Sequence, residues 1–180
     1  MSWRTTLTAL AGLALTATLA AGAIADAAMS GSEAPKQAAP AFERLKGLAG
    51  DWVAAEDGPM AKKGDLAARY AVTAGGTAVV ETIFPGAPHE MTTVYTADGQ
   101  DVVLTHYCVL GNQPRMRAKT PAGGRYDFAF DGGVQPATAN HMHQAKVELV
   151  GADELRSEWT EHDGGKTKMV VAMHLLRATR

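Results

Sequence analysis

The sequence predicts an all-β fold, a ten-stranded antiparallel up-and-down barrel with a short N-terminal helix. Three observations predict it. After about residue 50 the helical period of apolar residues disappears, and short runs with alternating or β-branched residues replace it. Each run is closed by a turn signal: Ala74-Gly75-Gly76, Asp98-Gly99, Ala122-Gly123-Gly124, Gly151-Ala152-Asp153 and Asp163-Gly164-Gly165. The connections are too short for crossover helices, so the sheet is a meander, and a meander of this length removes its two edges by closing on itself.

The first residues read as an export signal. Arg4 is followed by an apolar run from Leu7 to Ala21 and by the small-residue site Ala25-Asp26-Ala27. The run is shorter than the about 20 apolar residues of a membrane span, and no second one follows. Residues 1–27 are therefore expected to be a signal peptide, which places the mature chain in the periplasm or the medium. Residues 28–40 are rich in Ala, Pro, Ser and Gly and are expected to be a disordered linker. Residues 41–180 then form one barrel domain, a length at which a single core is normal.

Within that domain Phe42, Leu45 and Leu48 recur at helical spacing, and Gly47 and Gly50 end the helix. Strands follow at about 51–56, 66–73, 77–84, 91–97, 101–109, 115–120, 125–130, 141–150, 154–161 and 167–177, with bounds good to about 2 to 4 residues. Alternation puts Tyr126, Phe128 and Phe130 on one face of their strand, and Ala145, Val147 and Leu149 on one face of theirs. The chain carries a formal net charge of -2, which the loss of Arg4 and Asp26 with the signal leaves unchanged. That balance lacks the basic face that nucleic acid requires. The single cysteine, Cys108, excludes an internal disulfide.

Candidate site residues follow from strand parity. If successive strands alternate in direction, His106 and Cys108 at the end of the fifth, His89 before the fourth, His141 and His143 at the start of the eighth, and Trp159 on the ninth all reach one rim. Gln113 and Arg115 offer donors there as well, Arg115 to a carboxylate. A concave mouth with convergent polar groups is a usual place for a small-molecule ligand. His141-x-His143 puts two imidazoles on one strand face about 6.6 to 7 Å apart, the face of Ala145 and Val147. With His106 they form the candidate ligand set for a divalent metal, to which Glu81 adds an oxygen. Cys108 beside His106 also allows a nucleophile and base pair, hence a small hydrolase, although no third group orients either residue. Oligomeric state is left open.

Gly50-Asp51-Trp52 on the first strand after a short helix, and a basic end to the last strand, resemble the calycin superfamily of lipocalins and their relatives. The segment VTAGGTAVVETIFPGAPHEM, with LTHYC and GNQPRM after it, is similar to a group of exported bacterial barrels of that type. Pro88-His89-Glu90-Met91 and His174-Leu175-Leu176-Arg177-Ala178-Thr179 resemble nitrobindins, the haem-carrying members, whereas Val53-Ala54-Ala55-Glu56 departs from the glycine-rich continuation those proteins show. The resemblance implies a barrel with an arginine stacked on Trp52 at the closed end and a ligand inside. Through nitrobindins it implies a haem alternative with His174 as the candidate ligand.

Overall fold

The structure, a computed structural model, describes residues 39–134 and 138–179. The expected signal peptide and all but the last two residues of the expected linker lie outside the described residues. Those last two already belong to the fold: Ala39 is buried and Pro40 opens the helix.

The elements are α1 (Pro40–Lys46), β1 (Gly50–Ala54), β2 (Leu66–Thr73), β3 (Ala78–Ile83), β4 (Met91–Asp98), β5 (Asp101–Tyr107), β6 (Arg115–Ala118), β7 (Arg125–Phe130), β8 (His141–Leu149), β9 (Glu154–Asp163) and β10 (Lys166–Arg177). Each strand pairs with its sequence neighbours, and β1 pairs with β10 through Trp52 and Arg177, so the ten strands close into an antiparallel barrel. Closure leaves no unpaired edge to template further strands. The β9–β10 turn shows how the glycines permit this. Asp163 pairs with Lys166 across Gly164 and Gly165, whose φ values of 58° and 79° are those a two-residue hairpin needs. Strand five ends at Tyr107, two residues early, because Gly111 N–H turns back onto the Cys108 carbonyl at 2.9 Å.

One end of the barrel is closed by α1. Proline at its first position fits a site whose N–H has no helical partner, and Phe42, Leu45 and the following Leu48 are buried against the strands. Two hydrogen bonds fasten the helix segment: Tyr126 Oη donates to the Ala41 carbonyl at 2.7 Å, and Trp52 Nε1 donates to the Leu48 carbonyl at 2.8 Å. The Arg177 guanidinium lies 4.5 Å from the centre of the Trp52 ring and donates to the Ala49 and Gly47 carbonyls at 2.9 and 2.8 Å. It thereby joins the last strand, the first strand and the end of the helix in one contact. Above this plug the interior is filled by Tyr95, Leu104, Met116, Phe128, Leu155 and Leu175.

Because every pairing is antiparallel, the ends of odd strands and the starts of even strands meet at the other end, which is termed the open end here. Residues 55–65 join β1 to β2 at this end, and Met60 among them packs against the core. No helix among the described residues is long and apolar enough to cross a membrane.

Candidate functional site

The site begins with a row of polar side chains inside an otherwise apolar wall. Alternation on β3 buries Val79, Glu81 and Ile83, and alternation on β4 buries Met91, Thr93 and Tyr95. The strand register sets Tyr70 opposite Glu81, Glu81 opposite Thr93, and Thr93 opposite His106. Four neighbouring strands thus place Tyr70, Glu81, Thr93 and His106 side by side. Tyr70 Oη and Tyr95 Oη each donate to a different oxygen of the Glu81 carboxyl at 2.6 Å. Burial raises the Glu81 carboxyl above its ordinary value, and the surrounding hydroxyls, those of Tyr70 and Tyr95 first, partly offset the rise. Burial and the adjacent Glu81 charge push both tyrosine hydroxyls well above their usual range.

His106 completes the row. Its Nδ1 lies 2.9 Å from Thr93 Oγ1. One hydrogen bond joins the two, donated by Nδ1–H or by the hydroxyl according to the imidazole tautomer. The ring's Nε2 is buried without a hydrogen-bond partner. Burial lowers the imidazole to about 4, which makes it neutral at neutral pH. The Trp159 ring packs on it at 4.8 Å, and Trp159 Nε1–H is likewise buried without a partner.

Both rings line a cavity of about 170 Å³ at the open end. Its other walls are apolar or soft, with Ile83, Phe84, Met91, Cys108, Met142 and Met173 among them. Phe84 holds a positive φ of 52°, an unusual conformation for an aromatic residue, as it turns into the wall. Glu161 also borders the cavity, and Lys168 Nζ holds its carboxylate at 3.0 Å. A larger depression of about 580 Å³ lies on the outer wall among charged side chains such as Lys146 and Glu158, which pair with each other at 2.7 Å. Ser157, whose hydroxyl is buried without a hydrogen-bond partner, also borders it.

The structure separates the residues that parity brings to this end. His106, Cys108 and Trp159 line the cavity. His141 and His143 do not, contrary to the alternation expected through HMHQAKV. A β-bulge between Met142 and Gln144 inserts one extra residue opposite β9, so Met142 enters the cavity while the imidazoles gather elsewhere at the open end. There His141 Nε2 lies 3.0 Å from His143 Nδ1, His143 stacks on His162 at 3.9 Å, and Phe130 packs on both bulge histidines at 4.6 and 5.0 Å. Burial, and then the neighbouring imidazoles of His162 and His141, lower the pKa of His143. The expected metal set of His106, His141 and His143 therefore does not converge. Among the described residues no group of three or more His, Cys, Asp or Glu is arranged to hold an ion.

His89 packs against Phe84 at 4.8 Å, behind the cavity wall. Gln113 and Arg115 are exposed, and Arg115 points to Asp131 at 3.4 Å instead of into the mouth. His174 lies on the outward phase of β10, opposite Val171 and Leu175, and meets Glu154 at 3.0 Å. It does not fit the role of ligand to a haem held inside the barrel. The Cys108 thiol sits 4.0 Å from Met91 Sδ, and burial raises its pKa. A raised thiol without a hydrogen-bonded base lacks the activation a nucleophile needs.

Sequence reasoning missed Tyr70, Thr93 and Tyr95. The signal was present: in AVVETI a carboxylate falls on the buried phase of a strand, which requires partners on neighbouring inward positions. No family model and no curated protein matches the chain.

Proposed function

We propose that this chain is an exported, calycin-like barrel that binds a small molecule in the open-end cavity. One observation carries the reading: the barrel, filled elsewhere by large side chains, keeps a cavity of about 170 Å³ at its open end, walled by Ile83, Phe84, Met91, Met142 and the His106 and Trp159 rings. A void in a core forfeits the packing contacts its lining would otherwise make. A small apolar molecule that fills this one restores them. The Glu81 row supports the same reading, since it fixes the imidazole that a ligand would meet. The Arg177 stack on Trp52 supports the calycin-like assignment, and the charged start, apolar run and A-x-A site support export.

Native mass spectrometry of protein taken from its own cell envelope tests the proposal. The expected spectrum shows a chain beginning near Ala28 with a small bound mass that organic extraction removes. A chain that begins at Met1 or Ser2 contradicts export. The bare polypeptide mass, together with no change in Trp159 fluorescence when the extract is returned, contradicts binding.

A further inference from the structure

We infer that the sulfur atoms along the open-end cavity form a site for one soft monovalent metal ion of the Cu(I) class, with Cys108 and Met91 as its first two ligands. The site uses one wall of the cavity and stands whether or not an organic molecule fills the rest. The distribution of methionine points there first. The chain has eight methionines, of which Met1 and Met29 lie outside the described residues. Of the six that remain, five line this cavity: Met60 from the β1–β2 connection, Met91 at the start of β4, Met142 at the β8 bulge, and Met169 and Met173 on β10. Cys108, just past β5, joins them, so sulfur reaches one space from five separate parts of the chain.

Geometry and charge choose the ion. Cys108 Sγ and Met91 Sδ stand 4.0 Å apart. With metal–sulfur bonds of about 2.3 Å, an ion between sulfurs at the 4.0 Å spacing meets them at an angle of about 120°, which leaves the third corner of a triangle to another thioether. Thiolate and thioether donors select soft ions such as Cu(I), whereas calcium and magnesium demand oxygen and zinc takes thiolate, imidazole or carboxylate. As the metal–sulfur bond forms, the Cys108 thiol releases its proton to solvent. One thiolate then neutralises a monovalent ion, and thioethers add no charge. A divalent ion would keep one positive charge against walls of Ile83, Phe84 and Val171, where it is costly to desolvate. Glu161 also borders the cavity, but Lys168 Nζ holds its carboxylate at 3.0 Å. Met169, 43% exposed, marks the entry from solvent.

The test is a titration of the folded protein with silver(I), a soft monovalent ion that needs no reductant, in chloride-free buffer. It is read by native mass spectrometry and by the methyl resonances of ¹³C-labelled methionine. One silver ion should replace one proton. The Met91 methyl should shift together with at least one other cavity methionine, while Met116, buried elsewhere in the core, stays in place. Zinc(II) at the same concentration should give no such adduct. Cys108→Ser should weaken silver binding by at least the about 10- to 100-fold that loss of an outer-shell partner costs a metal site. Met91→Leu, close in volume, should weaken it as well. The wild-type methyl shifts carry the test if the Cys108 variant does not fold. No silver adduct, or an adduct that moves no cavity methyl, overturns the site and leaves the small-molecule reading standing. Affinity unchanged in Cys108→Ser but lost in His143→Ala also overturns it, since the ion then sits at the His141, His143 and His162 cluster. Zinc bound as tightly as silver overturns the choice of a soft ion.

Discussion

At the scale of single residues, Glu81 shows how a barrel wall tolerates a carboxyl group. Each of its oxygens receives a tyrosine hydroxyl at 2.6 Å, yet burial still holds its pKa above 4.5. The sign of the resulting pH dependence follows directly. A raised acid binds its proton more tightly in the folded state, so the stabilisation is complete below the unfolded pKa and is lost as pH rises through the folded one. Unfolding free energies of the wild type and Glu81→Gln, measured in urea from pH 4 upward, should therefore diverge. The wild type should lose stability relative to the variant as pH rises above about 4.5. A wild type that gains on the variant over that window would mean the carboxyl is lowered, with the tyrosine donors outweighing burial. His106 moves in the opposite direction with pH, which is why the difference between two proteins that share it is the quantity to read.

At the scale of elements, α1 and the two strands that close the barrel act as one unit around Trp52. Trp52 is fully buried, donates to Leu48 and lies under Arg177. Trp52→Ala should cost about 3 to 5 kcal/mol, as large aromatic deletions in cores do. Chemical denaturation that finds a loss below about 1 kcal/mol would contradict this packing. This closed end was legible in the sequence because every determinant is local or periodic: Phe42, Leu45 and Leu48 at helical spacing, a glycine stop, and a tryptophan on the inward phase of the next strand. The open end was only half legible. Parity brought His106, Cys108 and Trp159 to one rim, but the expected inward turn of His141 and His143 assumed unbroken alternation. A bulge depends on how two strands match in length and twist, and nothing in HMHQ announces it. Glu81, Thr93 and Tyr70 were hidden for a related reason, since their contact is set by register across separate strands.

At the scale of the whole molecule, closure of the ten strands makes the two ends unequal. One is plugged by a helix and pinned by Arg177; the other holds a small apolar cavity walled in part by the His106 and Trp159 rings. The fold class and nearly all strand positions followed from turn glycines and period-two patterning, which are properties of the chain alone. Cavity size did not, because it depends on how side chains from many strands fill a shared space. A crystal structure of the protein purified from its own cell envelope tests the central claim most directly. The account predicts density for one small molecule in the open-end cavity, against the Trp159 and His106 rings. A cavity filled by side chains, or a small molecule bound only elsewhere on the barrel, would contradict it.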